Sequence, residues 1–298
     1  MPLWVAATLV ACAFQATRFL LQKRLSGGGQ GLGPVAATFA RFVYAPAALG
    51  LGLLVWQAAG GTLPPLGRHF WPFALAGGVA QILATVLVVA TFARRNFAVG
   101  IALSKTAVLM TIVAGAAVLG EVPSAGAVAA IVAGVAGVLL ISVPRGVRWR
   151  AGLADPAVLY GLGAGAFFAV SAVAYRGASL AVGSEEPILR AAVTLFFVTL
   201  LQTVLMAGWM AWRDRPALVG TFRRWRASLA IGATSMAGSL AWFTAYTLEQ
   251  AALVNAVGQV ELILSLAISA TLLRERVTMR ELCGTVLVGG SVATLLLL

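Results

Sequence analysis

The sequence predicts an all-α membrane protein with ten transmembrane helices arranged as two inverted five-helix repeats. Three observations lead there. The composition is too apolar for water, the basic residues gather in every second connection between apolar blocks, and three apolar blocks of the first half fall on three of the second at a constant offset.

Of 298 residues, 61% are hydrophobic and 10% charged, with mean hydropathy +0.97; a soluble domain has about 45–50% apolar and about 25% charged residues. A span needs about 20 residues. Blocks of that order run over 2–22, 34–56, 70–92, 97–119, 124–143, 156–178, 187–212, 227–248, 251–273 and 279–298. They are continuous rather than alternating with period two, and unpaired backbone cannot face lipid, so each is a helix rather than a barrel strand. So little chain is left over that no extramembrane domain fits. The first block opens on Met1-Pro2-Leu3-Trp4 with no basic residue before it, and Arg18, Lys23 and Arg24 stand at its far end, against a cleaved signal peptide. Gly-rich stretches at 134–137 and 161–165 suit close helix contacts through small residues.

The connections carry the topology. The odd ones hold Lys23, Arg24; Arg94, Arg95; Arg145, Arg148, Arg150; Arg213, Arg215, Arg223, Arg224, Arg226; and Arg274, Arg276, Arg280, fifteen in all. The even ones and the ends hold Arg68 and Arg176, beside Glu121, Glu185, Glu186 and Glu249. Missing one span would scramble this alternation. By the positive-inside rule both termini lie on the non-cytoplasmic side. The net charge of +12 and pI near 11.3 are therefore topology signals, and no nucleic-acid partner is expected. Cys12 and Cys283 sit in opposite terminal blocks and His69 is the one histidine. No zinc, haem or iron–sulfur set can be assembled from them, so no cofactor or metal is expected.

A shift of 154 carries blocks three to five onto blocks eight to ten without a gap, pairing Gly78 with Gly232, Ala102 with Ala256, Leu119 with Leu273 and Glu121 with Glu275. A five-span unit repeated once inserts its second copy upside down, because five is odd. The chain divides accordingly into 1–148 and 149–298.

Three short motifs carry a resemblance. They are the turn Gly120-Glu121 with Ser124 after block four, its second copy Arg274-Glu275-Arg276-Val277-Thr278 after block nine, and Phe39-Ala40-Arg41-Phe42 opening block two, with Arg190 as its counterpart in block seven. In these the chain resembles the drug/metabolite transporter superfamily, specifically its EamA-type ten-span members. The resemblance implies two inverted five-helix repeats around a central cavity, working by alternating access. It departs in one respect: the family's usual pattern has basic even connections, whereas here the odd ones are basic, so the direction of transport is not carried over.

Ionising a side chain in hydrocarbon costs about 2.5–3.5 kcal/mol or more unless it is paired or hydrated, so polar residues inside spans are candidates for a site. Lys105 lies in block four and Glu261 near the middle of block nine, and the shift of 154 brings Lys105 onto Gln259 and Ala107 onto Glu261. We expect Lys105 to hold an anionic group of a substrate, Glu261 to bind a cationic group or a proton, and Gln259 to supply hydrogen bonds. The competing reading is a fixed Lys105–Glu261 ion pair that only joins the two repeats. Gln15 and Gln81 offer ligand contacts or interhelical hydrogen bonds. Trp242 and Tyr246, four residues apart and so on one helical face, with Asn255 just inside block nine, are expected either to form a wall for an organic or cationic substrate or to mark a membrane interface. Arg18, Arg41 and Arg190 are weaker candidates because long basic chains near helix ends snorkel to the interface. Glu121 and Glu275 read as structural residues of the turns.

The expected function is secondary transport of a small organic metabolite, an amino acid or similar zwitterion favoured. A lipophilic-cation exporter is the alternative and an intramembrane enzyme a remote one, since the spans hold no aspartate pair and no Ser/His constellation. No GxxxxGK[ST] loop is present, so ATP would have to be used by a partner and an ion or proton gradient is the expected energy source. A complete repeat pair suffices as a monomer. Nineteen Arg against two Lys point to a GC-rich bacterial coding bias, hence a bacterial cytoplasmic (inner) membrane as the location.

Overall fold

The computed structural model describes residues 1–26, 34–92, 102–142, 156–272 and 278–298. Among them are thirteen helices: α1 (Leu3–Ser26), α2 (Pro34–Phe39), α3 (Ala45–Ala58), α4 (Phe70–Phe92), α5 (Ala107–Leu119), α6 (Ala125–Ser142), α7 (Pro156–Leu180), α8 (Pro187–Arg213), α9 (Arg215–Arg223), α10 (Trp225–Leu248), α11 (Ala251–Val257), α12 (Val260–Leu272) and α13 (Met279–Leu297). There is no strand among the described residues, only an isolated bridge between Leu66 and Val182. Helix is what the bilayer demands, because it satisfies every backbone polar group within the segment.

Among the described residues, six segments are long and apolar enough to cross a membrane: 70–88, 102–119, 125–142, 158–180, 187–213 and 279–297. Shorter apolar helical stretches cover 3–18, 45–58 and 251–264. The eighth predicted block coincides with α10, whose 24 residues include Arg226 and a series of Ser and Thr that lower its hydropathy. The structure differs from the sequence reading in two ways. Blocks two, four and nine are interrupted, at 40–44, 105–106 and 258–259, and the seventh connection folds as the short helix α9.

The chain forms two compact units, each drawing on both halves of the sequence. The first comprises Met1–Ile82 and Ala174–Leu248. Its core gathers Phe39, Phe42, Met206, Met210 and Ile231. Gly238 of α10 faces Phe14 and the backbone of Ala11 in α1, Gly78 of α4 faces Val198, Leu201 and Gln202 of α8, and Gly232 of α10 faces Tyr44 and the carbonyl of Ala40. At one end the connections after α3 and α7 bind each other, with Gly67 N–H donating to Ala181 O at 2.8 Å and Gly183 N–H to Pro65 O at 2.9 Å. A Cβ on Gly67 would lie 3.0 Å from that Ala181 oxygen, which is why glycine stands there.

The second unit comprises Leu83–Val173 and Glu249–Leu298. Here α6 and α13 lie antiparallel: Gly126 is beside Leu298, Gly134 beside Ser291, and Gly137 beside Gly284 and Val288. The approach is close enough that a Cβ on Gly137 would lie 2.7 Å from the Gly284 carbonyl oxygen, and one on Gly284 2.6 Å from that of Gly137. α11 packs against both α5 and α13. α5 ends on Gly120 in the left-handed region (φ +69°), after which the Glu121 N–H reaches back to Gly115 O at 3.2 Å. Ser124 Oγ then accepts the Ala127 N–H at 3.2 Å to start α6. α13 starts at the position 154 later, where Thr278 Oγ1 accepts the Glu281 N–H and Glu281 Oε2 accepts the Thr278 N–H, a capping box.

Candidate functional site

In the second unit, Lys105, Gln259 and Glu261 lie where two apolar segments depart from α-helical hydrogen bonding. In 102–119 the Lys105 N–H turns to Ala102 O and the Thr106 N–H to Leu103 O, each at 3.1 Å, so both bonds span three residues instead of four. In 251–272 the Gln259 N–H makes the corresponding bond to Ala256 O, also at 3.1 Å, and Glu261 N–H donates to Gly258 O. Side chains also bond carbonyls at both turns. Thr106 Oγ1 donates to Leu103 O at 2.6 Å, and Gln259 Nε2 donates to Asn255 O at 3.1 Å, the acceptor that its own N–H would have used in an unbroken helix. Gly165 of α7 makes room for the first interruption, since a Cβ there would lie 3.3 Å from Ser104 O and 3.4 Å from Ala107 N.

An ion pair links the two interruptions. Lys105 Nζ lies 3.7 Å from Glu261 Oε2, with side chains 25% and 7% exposed. Six residues along each segment from that pair, Asn255 Nδ2 donates to Thr111 Oγ1 at 3.1 Å, and that hydroxyl donates in turn to Ala107 O at 2.7 Å. Of the eight predicted binding residues, the structure therefore brings together Lys105, Glu261, Gln259 and Asn255. Thr111 was missed from sequence, because a threonine in an apolar helix bonds its own i−4 carbonyl and gives no outward signal.

Gln15, Gln81, Trp242 and Tyr246 belong to the first unit. Trp242 and Tyr246 stack, with centroids 5.8 Å apart and planes at 23°, and Tyr246 is buried. Gln15 and Gln81 are half-buried in α1 and α4. Sequence reading passed over a second polar group here: fully buried Gln202 donates to Gly78 O at 3.2 Å and to Tyr175 Oη at 3.3 Å, and the Tyr175 ring lies against Phe243 with centroids 4.4 Å apart. A lone glutamine within the seventh block was the available clue. Arg18 is buried, and Arg41, in the interruption between α2 and α3, lies in electrostatic range of Arg18 and Tyr175.

Two arginines act as helix caps. Arg190 donates from Nε to Ser179 O and from Nη2 to Leu180 O, both at 2.9 Å, at the end of α7. Arg176 Nη1 donates to Tyr246 O at 2.8 Å near the end of α10. Both meet the orphan carbonyls and negative dipole end of a helix C-terminus. Glu121 lies in the turn after α5; Glu275 lies outside the described residues, as do Arg94, Arg95, Arg145, Arg148, Arg150, Arg274 and Arg276.

The sequence profile of the EamA-like transporter family matches residues 2–143 and again residues 155–297. The chain belongs to the EamA-like transporter family. It is thus a multi-pass membrane transporter, and its two polar interruptions fall one in each family match. A solved structure described only as "Crystal structure of protein" shares 17% identity and a TM-score of 0.70, with 98% of each chain covered. At that identity the likeness shows the fold alone. No curated protein matches the sequence significantly.

Proposed function

We propose that this EamA-like transporter moves a small zwitterionic metabolite, an amino acid or similar compound, by alternating access, with Lys105 and Glu261 at its site. The observation that carries the reading is the 3.7 Å pair joining two interrupted helices. Interrupted helices build transporter sites because they free backbone groups and admit polar chains where a continuous helix would present only hydrocarbon. A zwitterion suits the pair by charge balance. Its carboxylate takes Lys105, its ammonium takes Glu261, and each buried charge keeps a partner whether the site is full or empty. Gln259 and Asn255 supply hydrogen bonds beside it.

The antiparallel geometry supports ten spans as two inverted repeats. α6 and α13 occupy equivalent places at the offset of 154 and run in opposite directions, and so do 102–119 and 251–272. Gly78 and Gly232, also equivalent, face 198–202 and 40–44 in turn. The hydrogen bonds between 65–67 and 181–183 join the second and sixth connections, both even, as the alternation of sides requires. Glu261 is the carboxylate proposed to exchange protons, with a proton and the substrate ammonium competing for it. The basic odd connections set both termini outside the cytoplasm in this reading.

The stacked Trp242–Tyr246 pair favours a second reading, export of lipophilic cations. A monovalent cation on Glu261 would leave Lys105 without its counter-charge, which makes this the weaker option. The deciding experiment is a thermal-shift screen of detergent-purified protein against amino acids, organic cations, sugars and nucleotides, because a ligand that prefers the folded state stabilises it. We expect stabilisation by zwitterions, abolished in Lys105→Ala and Glu261→Ala. Hits confined to lipophilic cations, unaffected by Lys105→Ala, would overturn the zwitterion reading.

A further inference from the structure

The connection from Trp212 to Arg226 does not belong to the site above. α9 within it is firmly seated: Asp214 Oδ1 accepts the Ala217 N–H at 3.2 Å, Thr221 is fully buried, and Ser228 Oγ donates to Thr221 O at 2.8 Å. Ala217 and Leu218 pack on the core of the first unit, and the Phe222 ring meets Phe39 edge to face at 6.1 Å. The outer side is different. Arg213, Arg215, Arg223, Arg224 and Arg226 are all exposed, and so are the large apolar side chains of Trp212, Val219, Phe222 and Trp225. Two guanidiniums lie over rings, Arg213 over Trp212 at 4.4 Å and Arg226 over Trp225 at 5.4 Å. Asp214 is the single acid of the segment, and its carboxylate is engaged in the cap.

We propose that this segment is a binding surface for anionic phospholipids, with α9 lying in the interface and its arginines holding headgroup phosphates. Guanidinium groups match phosphate oxygens in geometry, and a short helix with cations beside exposed aromatics suits the boundary between headgroups and acyl chains. Free phosphate or a nucleotide would use the arginines but leave Trp212, Val219 and Trp225 facing water. The surface lies at the leaflet where α8 ends, which is the cytoplasmic one if the odd connections face the cytoplasm. Lipid binding itself does not depend on the transport reading.

Native mass spectrometry of the detergent-purified protein with phosphatidylglycerol or phosphatidylcholine tests this. The wild type is expected to retain phosphatidylglycerol preferentially, and replacing all five arginines by Gln to lower that retention by about tenfold or more. Arg145→Gln/Arg148→Gln/Arg150→Gln removes charge from another odd connection and should lower retention far less. Equal retention by the five-fold variant, equal loss in the triple variant, or full competition by inorganic phosphate would each overturn the proposal. Should the five-fold variant not fold, the wild type in nanodiscs decides: its melting temperature must rise when phosphatidylglycerol is added to phosphatidylcholine, and an unchanged value refutes the surface.

Discussion

Lys105 and Glu261 carry opposite charges into apolar segments, and each is tolerable there because the other is 3.7 Å away. Removing one partner of a fully buried pair costs about 3–5 kcal/mol, and we expect about 2 kcal/mol for Lys105→Ala because its side chain is 25% exposed. Lys105→Ala/Glu261→Ala should then lose less than the sum of the single variants, since it leaves no orphan charge. Thermal melts of the four proteins in one detergent measure this; strict additivity would mean that the two residues do not interact. Glu261→Gln keeps the shape of the side chain and loses the titratable group, and because it leaves Lys105 without its counter-charge its melt is compared with that of Glu261→Ala before function is read. If Glu261 carries protons, gradient-driven uptake into proteoliposomes is abolished while substrate exchange persists, and a normal pH dependence of uptake in this variant would remove Glu261 from coupling. These residues were legible in the sequence because a charge inside an apolar run stands out. Tyr175, Gln202 and Thr111 were not, because neutral polar groups satisfied by neighbouring carbonyls or by each other disturb hydropathy very little.

At the scale of elements, apolar runs located the helices well: α4 and α13 begin where the sequence reading placed them, at 70 and 279. The interruptions at 105–106 and 258–259 escaped it. Neither contains proline, and exchanging a four-residue for a three-residue hydrogen bond leaves the hydropathy profile intact. α9 had a readable signal in Asp214 followed by Pro216, an N-cap and a first-turn proline, but its length hid it within a connection. Glycine sets how closely elements approach. Gly137→Leu and Gly284→Leu drive a side chain into the facing carbonyl, and overpacking of this kind costs about 1–3 kcal/mol. A lowered melting temperature is expected for both, against no change in Gly289→Ala, where nothing lies within 4 Å of the added Cβ. Similar melts for all three would contradict the close antiparallel pairing of α6 and α13.

For the whole molecule, alternation of basic connections makes a vectorial prediction. In a protein with Cys12 and Cys283 replaced by Ser, a cysteine at Ser184 should react in intact cells with a membrane-impermeant thiol reagent, while one at Arg215 should react only after the membrane is opened. The opposite pattern would invert the topology, and labelling of both from outside would break the alternation. The sequence by itself determined that this chain lives in a membrane, that it is helical, and that it consists of two related halves, because each of these is written in composition, run length and register. Only the tertiary structure decided which residues meet. Residues 105 and 261 stand far apart in the chain, and nothing local in either segment specifies the partner; packing of the antiparallel segments does. The grouping into units, each built from both halves, was equally hidden, since a one-dimensional offset reports which segments are alike and carries no information on which of them touch.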